Sequence, residues 1–509
     1  MSVQDCEFLN CTVGSFGLLH LAHLPHVSLS NVTFLGHGTF GNVDIFTNTY
    51  NALPTDNPGL IPMSLNAVPL STCLSIVNIT YIDTLVVTGM RYEQWICLQG
   101  IYLSSCTNGS LTGLNPSENE GFNQMGSVLF LNFTDTLIIS DFHLYSNRNS
   151  HPLGQGTTAV VGKSLTTHIS NSQFEGNSAT YGSSVFLHST GSTTVAASHF
   201  VNNSATVGGA IGVELPTQQY VQFTLKDSEF RGNSAANFGG AVAVFRTIVD
   251  SSVPEDLIVP TYSCELTLLN ALFVGNSAQD GAAVYMDCSS AKQPCALHFS
   301  TAVLSSNAAK SIVSLPFDQL KFFYASQLIC SENAGTCLVL ESTSGDCANC
   351  EFRRNQAVSG AAFHISSSNF TFRHSHFELN SVPTYGGAGF LESSTLACDF
   401  CLFINNSAGR LGGALYLHSS SLVLSASQFT SNSAHSGGFA LQFYRCPVIS
   451  YINATAFTRN YGSGIAVLSL FSANLSLSFC TFQGNAGARL TGGVHVSLSE
   501  LKVYRGVTG

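Results

Sequence analysis

The chain has 509 residues and a formal net charge of −11, and only 9% of its residues are charged, against roughly a quarter in a typical soluble domain. Its 18 Lys and Arg residues form no basic run, so the electrostatic footprint of a nucleic-acid-binding protein is missing and we expect no such partner. No uninterrupted stretch of about 18 apolar residues occurs, which argues against a membrane-spanning helix.

The composition is typical of β-strands and turns. Gly, Ser, Thr and Asn take the place of the missing charged residues, and helix-forming Glu, Lys and Arg are scarce. The apolar fraction of 45% is normal for a folded protein. The composition therefore predicts an all-β fold.

A repeated frame is present from the first residues of the chain. Phe8 recurs as Phe34, with Cys6 and Val32 two positions before them. No charged and apolar signal-peptide pattern precedes this frame, and no anchor segment is recognised. We therefore expect the chain to be part of a longer gene product that supplies those segments.

The frame is poorly kept between residues 41 and 165. We predict loops at 48–69 and 108–125, and a degenerate coil built around Phe142, which follows Leu137 and Ser140. Residues 1–165 are thus predicted to form degenerate N-terminal coils with loop insertions. Residues 166–509 are predicted to form one continuous solenoid of regular repeats.

In the second region an aromatic residue is followed three positions later by Asn, and four copies continue into Gly-Gly-Ala. Most copies follow one another at a nearly constant spacing, and an insertion at 247–262 explains the longest step. Two further pairs complete the series if the first residue need not be aromatic: Leu304 with Asn307, and Cys330 with Asn333. The pairs are Phe174 and Asn177, Phe200 and Asn203, Phe230 and Asn233, Phe273 and Asn276, Phe352 and Asn355, Phe377 and Asn380, Phe403 and Asn406, Phe429 and Asn432, Phe457 and Asn460, and Phe482 and Asn485.

Each repeat is interpreted as one coil of a solenoid. Apolar and polar residues alternate before the aromatic, as at Leu422 and Leu424 before Phe429, which is typical of a half-buried strand. The Phe is predicted to point into the core, and the Asn to hydrogen-bond its counterpart in the next coil as a ladder. The Gly pair is expected to supply a turn or a close backbone approach. The sequence therefore predicts a right-handed parallel β-helix with about 25–26 residues per coil and loop insertions.

The combination of Phe-x-x-Asn with Gly-Gly-Ala resembles the repeats of chlamydial polymorphic membrane proteins, which are surface-exposed adhesins of the autotransporter type. The resemblance covers residues 170–495 well and the remainder loosely. It also relates the chain to the right-handed β-helices of the pectin-lyase-like superfamily. It implies a β-helical domain presented outside the cell, at the cell surface or secreted.

Among the 16 cysteines, two pairs have the spacing of zinc ligands: Cys347-x-x-Cys350 and Cys398-x-x-Cys401. The repeat frame places all four at core positions, and the two pairs two coils apart, too distant to share one ion. We therefore interpret them as buried free cysteines.

A disulfide is predicted between Cys264 and Cys295. They lie nine residues before Phe273 and Leu304 respectively, in neighbouring coils. Stacking of these coils would bring the two thiols within bonding reach.

The histidines offer weaker signals. A Gly-His-Gly tripeptide centred on His37 matches a motif of polygalacturonases, but His37 lies three residues after Phe34, where the frame places a bend residue, and no cluster of aspartates accompanies it. His20, His23 and His26 recur every third residue and are interpreted as turn or surface residues rather than metal ligands. We identify no catalytic residue, metal site or cofactor.

Three classes of function are compatible with this sequence. The resemblance favours a non-enzymatic extracellular or cell-surface protein acting in adhesion or as a rigid spacer, whose partner is an unknown surface receptor or glycan. The first alternative is a carbohydrate-binding or polysaccharide-degrading β-helix, which requires a carboxylate cluster on one exposed strip, and no such strip is recognised in the sequence. The second is a structural component of a cell wall or appendage.

Overall fold

The computed structural model consists of β-strands and the turns between them, and the predicted all-β architecture is confirmed. The described residues belong to two compact units, an N-terminal unit, Met1–Ile258, and a C-terminal unit, Val259–Gly509, each considered by itself. The structure describes residues 1–4, 7–9, 19–22, 24–30, 33–35, 77–93, 96–97, 101–121, 129–149, 159–161, 164–188, 191–215, 220–245, 263–288, 295–316, 321–487 and 493–504.

In both units each regular coil contributes one strand to each of three parallel sheets. We call the sheet that carries the repeated Phe the aromatic sheet. In the N-terminal unit its strands are Glu7–Leu9, Thr33–Leu35, Arg91–Glu93, Asn115–Ser117, His143–Tyr145, Gln173–Glu175, His199–Val201 and Glu229–Arg231. In the C-terminal unit they are Leu272–Val274, Val303–Ser305, Ile329–Ser331, Glu351–Arg353, His376–Glu378, Leu402–Ile404, Gln428–Thr430, Ala456–Thr458 and Thr481–Gln483.

The strands after the glycine pair form what we call the glycine sheet. In the N-terminal unit these are Leu19–Ala22, Val77–Thr80, the first parts of Ile101–Thr112 and Leu129–Ser140, Ala159–Val161, Val185–His188, Ile211–Glu214 and Val242–Phe245. In the C-terminal unit they are Val284–Met286, Ala308–Leu315, Ala334–Glu341, Phe363–Ser366, Gly389–Glu392, Leu415–His418, Leu441–Tyr444, Leu468–Phe471 and Val494–Ser497.

The strands that precede the aromatic sheet form the leading sheet. In the N-terminal unit these are Ser2–Gln4, His26–Ser30, Thr84–Thr88, the second parts of Ile101–Thr112 and Leu129–Ser140, Thr166–Ser170, Ser192–Ala196 and Val221–Lys226. In the C-terminal unit they are Cys264–Leu269, Cys295–Ser300, Lys321–Ser326, Thr343–Ala348, Asn369–Arg373, Thr395–Asp399, Ser421–Ser425, Ser450–Asn453, Asn474–Ser478 and Glu500–Val503.

Short strands follow the ladder Asn in many coils. They are Ile96–Cys97, Glu120–Gly121, Arg148–Asn149, Ser204–Val207 and Ser234–Phe238 in the N-terminal unit. In the C-terminal unit they are Ser381–Val382, Ser407–Ala408, Ser433–Ala434, Tyr461–Gly462 and Ala486–Gly487. They pair with one another in parallel from coil to coil, as Ser381 does with Ser407.

The repeat frame of the sequence is the pairing register of the strands. Phe377 pairs with Phe403, and Phe403 with Phe429, so one coil runs from each marker Phe to the next. Phe8 likewise pairs with Phe34 at the N-terminus. Because a parallel neighbour lies one full coil away, every strand of the repeat stacks on its own equivalent.

Each coil turns sharply at single residues in the left-handed region. In one coil these are Phe400 (φ 51°), between the leading and aromatic strands, and Asn405 (φ 52°), after the aromatic strand. Ser419 (φ 51°) separates the glycine strand from the next leading strand. A single residue with positive φ breaks an extended strand without adding length, which lets three sheets share one narrow core.

The repeated phenylalanines form the centre of the core. The rings of Phe377 and Phe403, and of Phe403 and Phe429, are parallel with centroids 4.5 Å apart, close to the spacing of hydrogen-bonded strands. In the N-terminal unit Phe200 stacks on Phe174 and on Phe230 in the same way. Of the marker phenylalanines from Phe174 onward, all but the half-buried Phe482 are buried. The predicted aromatic stacking is confirmed.

The predicted asparagine ladder is also present. Asn406 Nδ2 donates to Asn432 Oδ1 (3.0 Å) and to the Phe377 carbonyl of the preceding coil (2.9 Å). Its own Oδ1 accepts from both the backbone N–H and the side chain of Asn380, at 3.1 and 3.0 Å. The pattern repeats from Asn119 to Asn233 and from Asn276 to Asn485. The buried amides are therefore fully satisfied, as burial demands.

The irregular region is more regular than the sequence suggests. Leu144, not Phe142, pairs with Phe174 in the core position, so the coil predicted around Phe142 is shifted by two residues. Residues 108–121, predicted as a loop, are largely strand, with Pro116 in the core position. The frame was missed because Leu and Pro replace the marker Phe, although Asn119 and Asn147 keep the ladder. Residues 48–69 and 247–262 lie outside the described residues.

The glycine pair has the two roles expected of it. Gly412 has a φ of +68°, which suits a residue without Cβ. Gly413 faces the backbone of the next coil, where an added Cβ would lie 2.6 Å from the Ser433 carbonyl oxygen and closer still to that of Phe439. Because both obstacles are backbone atoms, neither can move without disturbing the coil.

We expect Gly413→Ala to lower the free energy of unfolding by about 3 kcal/mol through this overpacking. The control is Gly493→Ala, since Gly493 has nothing within 4 Å of an added Cβ and stands in the register position of Ala414 and Ala440. Its effect should stay within about 0.5 kcal/mol. Urea denaturation of both variants measures the difference, and equal midpoints would refute the close approach.

The predicted disulfide between Cys264 and Cys295 is wrong. Cys295 is bonded to Cys288, seven residues before it, and Cys264 is a buried free thiol. Glu265 pairs with Ala296, so the two cysteines occupy equivalent positions of adjacent strands. In-register strands hold equivalent Cβ atoms about 4.8 Å apart, beyond the usual separation in a disulfide. Burial, with a smaller effect of Glu265, raises the pKa of Cys264 to about 12.

The interpretation of Cys347 and Cys350 as free thiols is also wrong, because they are bonded to each other. Cys330, at the core position of its coil, is bonded to Cys337. Cys398 and Cys401 are buried free thiols, as expected. The three disulfides among the described residues therefore each join residues of one coil or of its immediate connection.

Candidate functional site: the outer face of the aromatic sheet

The residues on either side of each core Phe point away from the core. In the N-terminal unit these side chains form two columns, which we call the outer polar face. The first column is Asn115, His143, Gln173, His199 and Glu229, and the second is Ser117, Tyr145, Glu175, Val201 and Arg231. Each column advances by one strand spacing per coil, about 4.8 Å, so the face is a rigid, regularly spaced row of polar groups.

A shallow cavity of about 330 Å³ opens on this face. It is lined by Asn115, Ser117, Glu118, His143, Leu144, Tyr145, Gln173 and Glu175. Leu144 is buried and forms the floor, whereas the Tyr145 ring is 46% exposed at the rim. The cavity thus offers one buried apolar side chain, one aromatic ring and several hydrogen-bonding groups.

The charge of the face changes along its length. Glu118 and Glu175 line the cavity, and no Lys or Arg is among the lining residues. Two coils beyond Glu175, Glu229 pairs with His199 of the intervening coil (3.2 Å) and with Arg231. The part of the face at the cavity therefore carries carboxylates from two coils, whereas the part at Glu229 combines acidic and basic groups.

The carboxylates of Glu118 and Glu175 belong to coils two apart. Glu118 directly follows the strand Asn115–Ser117, and Glu175 ends the strand Gln173–Glu175. The strand His143–Tyr145 lies between these two strands, so their backbones are about 10 Å apart. Paired carboxylates of glycoside hydrolases lie about 5–10 Å apart. Two flexible Glu side chains on either side of one cavity are compatible with the upper end of that range.

The equivalent face of the C-terminal unit is charged but internally paired. Glu351 pairs with Arg353 on one strand, and Arg354 Nη1 lies 3.3 Å from Glu332 Oε1. On the leading sheet, Arg373 Nη1 lies 3.1 Å from Asp346 Oδ2. The charged groups of these exposed pairs already bind one another. We therefore place the candidate site in the N-terminal unit.

The sequence alone does not connect the glutamates of this region. Glu118, Glu175 and Glu229 belong to three different coils and lie far apart in sequence, and no motif connects them. Their positions next to a core residue could have revealed them in the sequence. Glu175 directly follows the core residue Phe174, and Glu229 directly precedes the core residue Phe230. This signal was obscured at Glu118, where Pro116 replaces the Phe.

The histidine motifs contribute little to this face. His37 and His23, and the side chain of His20, lie outside the described residues. His26 is exposed at the start of a leading strand, where its carbonyl accepts from the Met1 amino group. No group of three or more His, Cys, Asp or Glu side chains suited to a metal occurs in the part of the chain that the structure describes. Nor does any described segment form a helix long and apolar enough to cross a membrane.

Comparison with known proteins identifies the architecture. Residues 325–504 match a protein family described as right handed beta helix region. No curated protein and no solved structure matches the chain. The family match and the in-register parallel coils together show that this chain is a right-handed parallel β-helix.

Proposed function

We propose that this protein is a non-enzymatic extracellular or cell-surface β-helix that acts in adhesion, with the outer polar face as its contact surface. The observation that carries the proposal is the division of polar groups between core and surface. The inward-facing Asn side chains hydrogen-bond one another in the ladder. Glu118, Tyr145 and Glu175, in contrast, line an open cavity. The resemblance to surface adhesins supports the same function.

The charge of the cavity favours one class of partner. Glu118 and Glu175 both line the cavity, and their two carboxylates oppose an anionic ligand. Amide and carboxylate oxygens suit hydroxyl and ammonium groups, and Tyr145 offers an apolar surface to a sugar ring. We infer a neutral or amine-bearing glycan rather than a uronic-acid polymer.

Glycan-array binding of the full chain tests this inference. We expect Glu175→Gln to weaken binding of the best glycan about tenfold or more, since a hydrogen bond to a charged group contributes about 1.5–3 kcal/mol. The control is His168→Ala, which alters an exposed residue of the same coil on the leading sheet. Retained binding in Glu175→Gln, or selective binding of uronic-acid polymers, would contradict the proposal.

A polysaccharide-degrading enzyme is the second candidate, favoured by the two carboxylates that share the cavity. Incubation of the chain with neutral, amino-sugar and acidic polysaccharides, followed by measurement of new reducing ends, separates the two. An enzyme would release products in a manner abolished by Glu118→Gln or Glu175→Gln. An adhesin would bind without product release, and a purely structural spacer would do neither.

A further inference from the structure

A pair of free thiols occupies the same place in its coil as an existing disulfide. The bond between Cys347 and Cys350 joins the end of a leading strand to the start of the aromatic strand, with Cα atoms 6.1 Å apart. Asn349, at the corner between them, has a φ of 55°. This corner therefore places positions three residues apart within disulfide range.

Cys398 and Cys401 occupy the equivalent positions two coils later. Phe372 pairs with Cys347 on one side and with Cys398 on the other, which fixes the register. The corner residue Phe400 has a φ of 51°, within a few degrees of that of Asn349.

The backbone hydrogen bonds of the two corners also agree. Cys350 donates its N–H to Ser375 Oγ at 3.2 Å, and Cys401 donates its N–H to Ser427 Oγ at 3.1 Å. The two corners therefore share their register, a left-handed corner residue and the same backbone hydrogen bond.

We propose that Cys398 and Cys401 form a disulfide in the mature protein, by exchange with a small-molecule disulfide such as oxidised glutathione. The thiolate of one cysteine attacks the reagent, forms a mixed disulfide and releases one reduced thiol. The second cysteine attacks that mixed disulfide and releases the other thiol. Two Cys thiols lose two protons and two electrons in total, and one reagent disulfide becomes two thiols.

The two sulfurs differ in their surroundings. Burial, reinforced by a hydrogen bond with Cys401, raises the pKa of Cys398. That same hydrogen bond lowers the pKa of Cys401. Because both are buried, exchange requires the corner to open or takes place before it closes during folding.

The chain offers a clean measurement. Trypsin cleavage after Arg373 and Arg410 releases a peptide with no cysteines other than Cys398 and Cys401. The full-length protein is equilibrated in glutathione buffers of graded potential, trapped with an alkylating reagent under denaturing conditions and digested. We expect an unalkylated peptide lighter by two hydrogens, formed in the same buffers that keep Cys347 and Cys350 oxidised.

Two variants serve as controls. Cys401→Ser restores the serine of the neighbouring coils, Ser375 and Ser427, and should fold but leave Cys398 alkylated or glutathionylated. Cys480→Ser changes the same corner position in a coil with Leu477 at the partner site, and should leave the oxidation of Cys398 and Cys401 unchanged. Recovery of the wild-type peptide with both cysteines alkylated, or with glutathione on either, in buffers that oxidise Cys347 and Cys350 would overturn the proposal.

Discussion

Replacement of Asn406 by Ala is expected to lower the free energy of unfolding by about 4 kcal/mol, since each unsatisfied buried group costs about 1–3 kcal/mol. The change leaves the backbone N–H and the side-chain amide of Asn380 without their acceptor, and the Phe377 carbonyl without its donor. All of these groups are buried. Water that enters the gap would satisfy some of these groups. The expected total for the three groups therefore stays near the lower end of the range obtained by adding their separate costs.

Asn405 provides a matched control for this experiment. It is the same residue type one position earlier, exposed, and at a corner with a φ of 52°. Gly stands at the equivalent corner of other coils, for example at Gly176 and Gly232. Asn405→Gly should therefore change stability by less than about 1 kcal/mol. Equal urea midpoints for Asn406→Ala and Asn405→Gly would show that the ladder does not stabilise the fold.

Replacement of Phe403 by Ala is expected to cost about 3–5 kcal/mol, the range for large cavities in well-packed cores. Phe403 is fully buried, and its ring stacks on those of Phe377 and Phe429, both at 4.5 Å. The neighbouring coils are held by the strand pairing and by the asparagine ladder, so they collapse little into the space left behind. The cavity therefore persists, which places the cost near the upper end of the range.

Two further variants test whether packing is the cause. Phe403→Leu should cost only about 1–2 kcal/mol, because Leu304 occupies the same position in its own coil. Phe400→Asn changes a Phe that is 52% exposed at a left-handed corner, where Asn is well tolerated, and should be nearly neutral. A neutral Phe403→Ala would contradict the stacked core, whatever the other variants show.

Together these variants separate two contributions that coincide in every coil. The Phe stack stabilises through buried apolar area and dispersion, which tolerate a smaller apolar residue at reduced strength. The Asn ladder stabilises through directional hydrogen bonds, which no apolar residue can replace. We therefore expect graded losses at Phe403 and an all-or-none loss at Asn406.

The sequence by itself determined the all-β fold, the coil length and the register of the strands. Phe377, Phe403 and Phe429 recur at one coil length because identical residues stack best on themselves in a parallel, in-register array. The Asn ladder and the glycine pair follow from the same rule. Where Pro116 and Leu144 replace the marker aromatic, this signal was lost and the frame was placed incorrectly.

Tertiary structure alone decided the cysteine pairing and the composition of the outer polar face. The repeat brings Cys264 and Cys295 to equivalent positions, but a disulfide depends on Cβ separation and direction, and Cys288 satisfies that geometry instead. Glu118 and Glu175 are brought to one cavity by the stacking of coils. A repeat specifies which residues are equivalent, whereas distances of a few ångströms between residues that are not equivalent depend on how each corner turns.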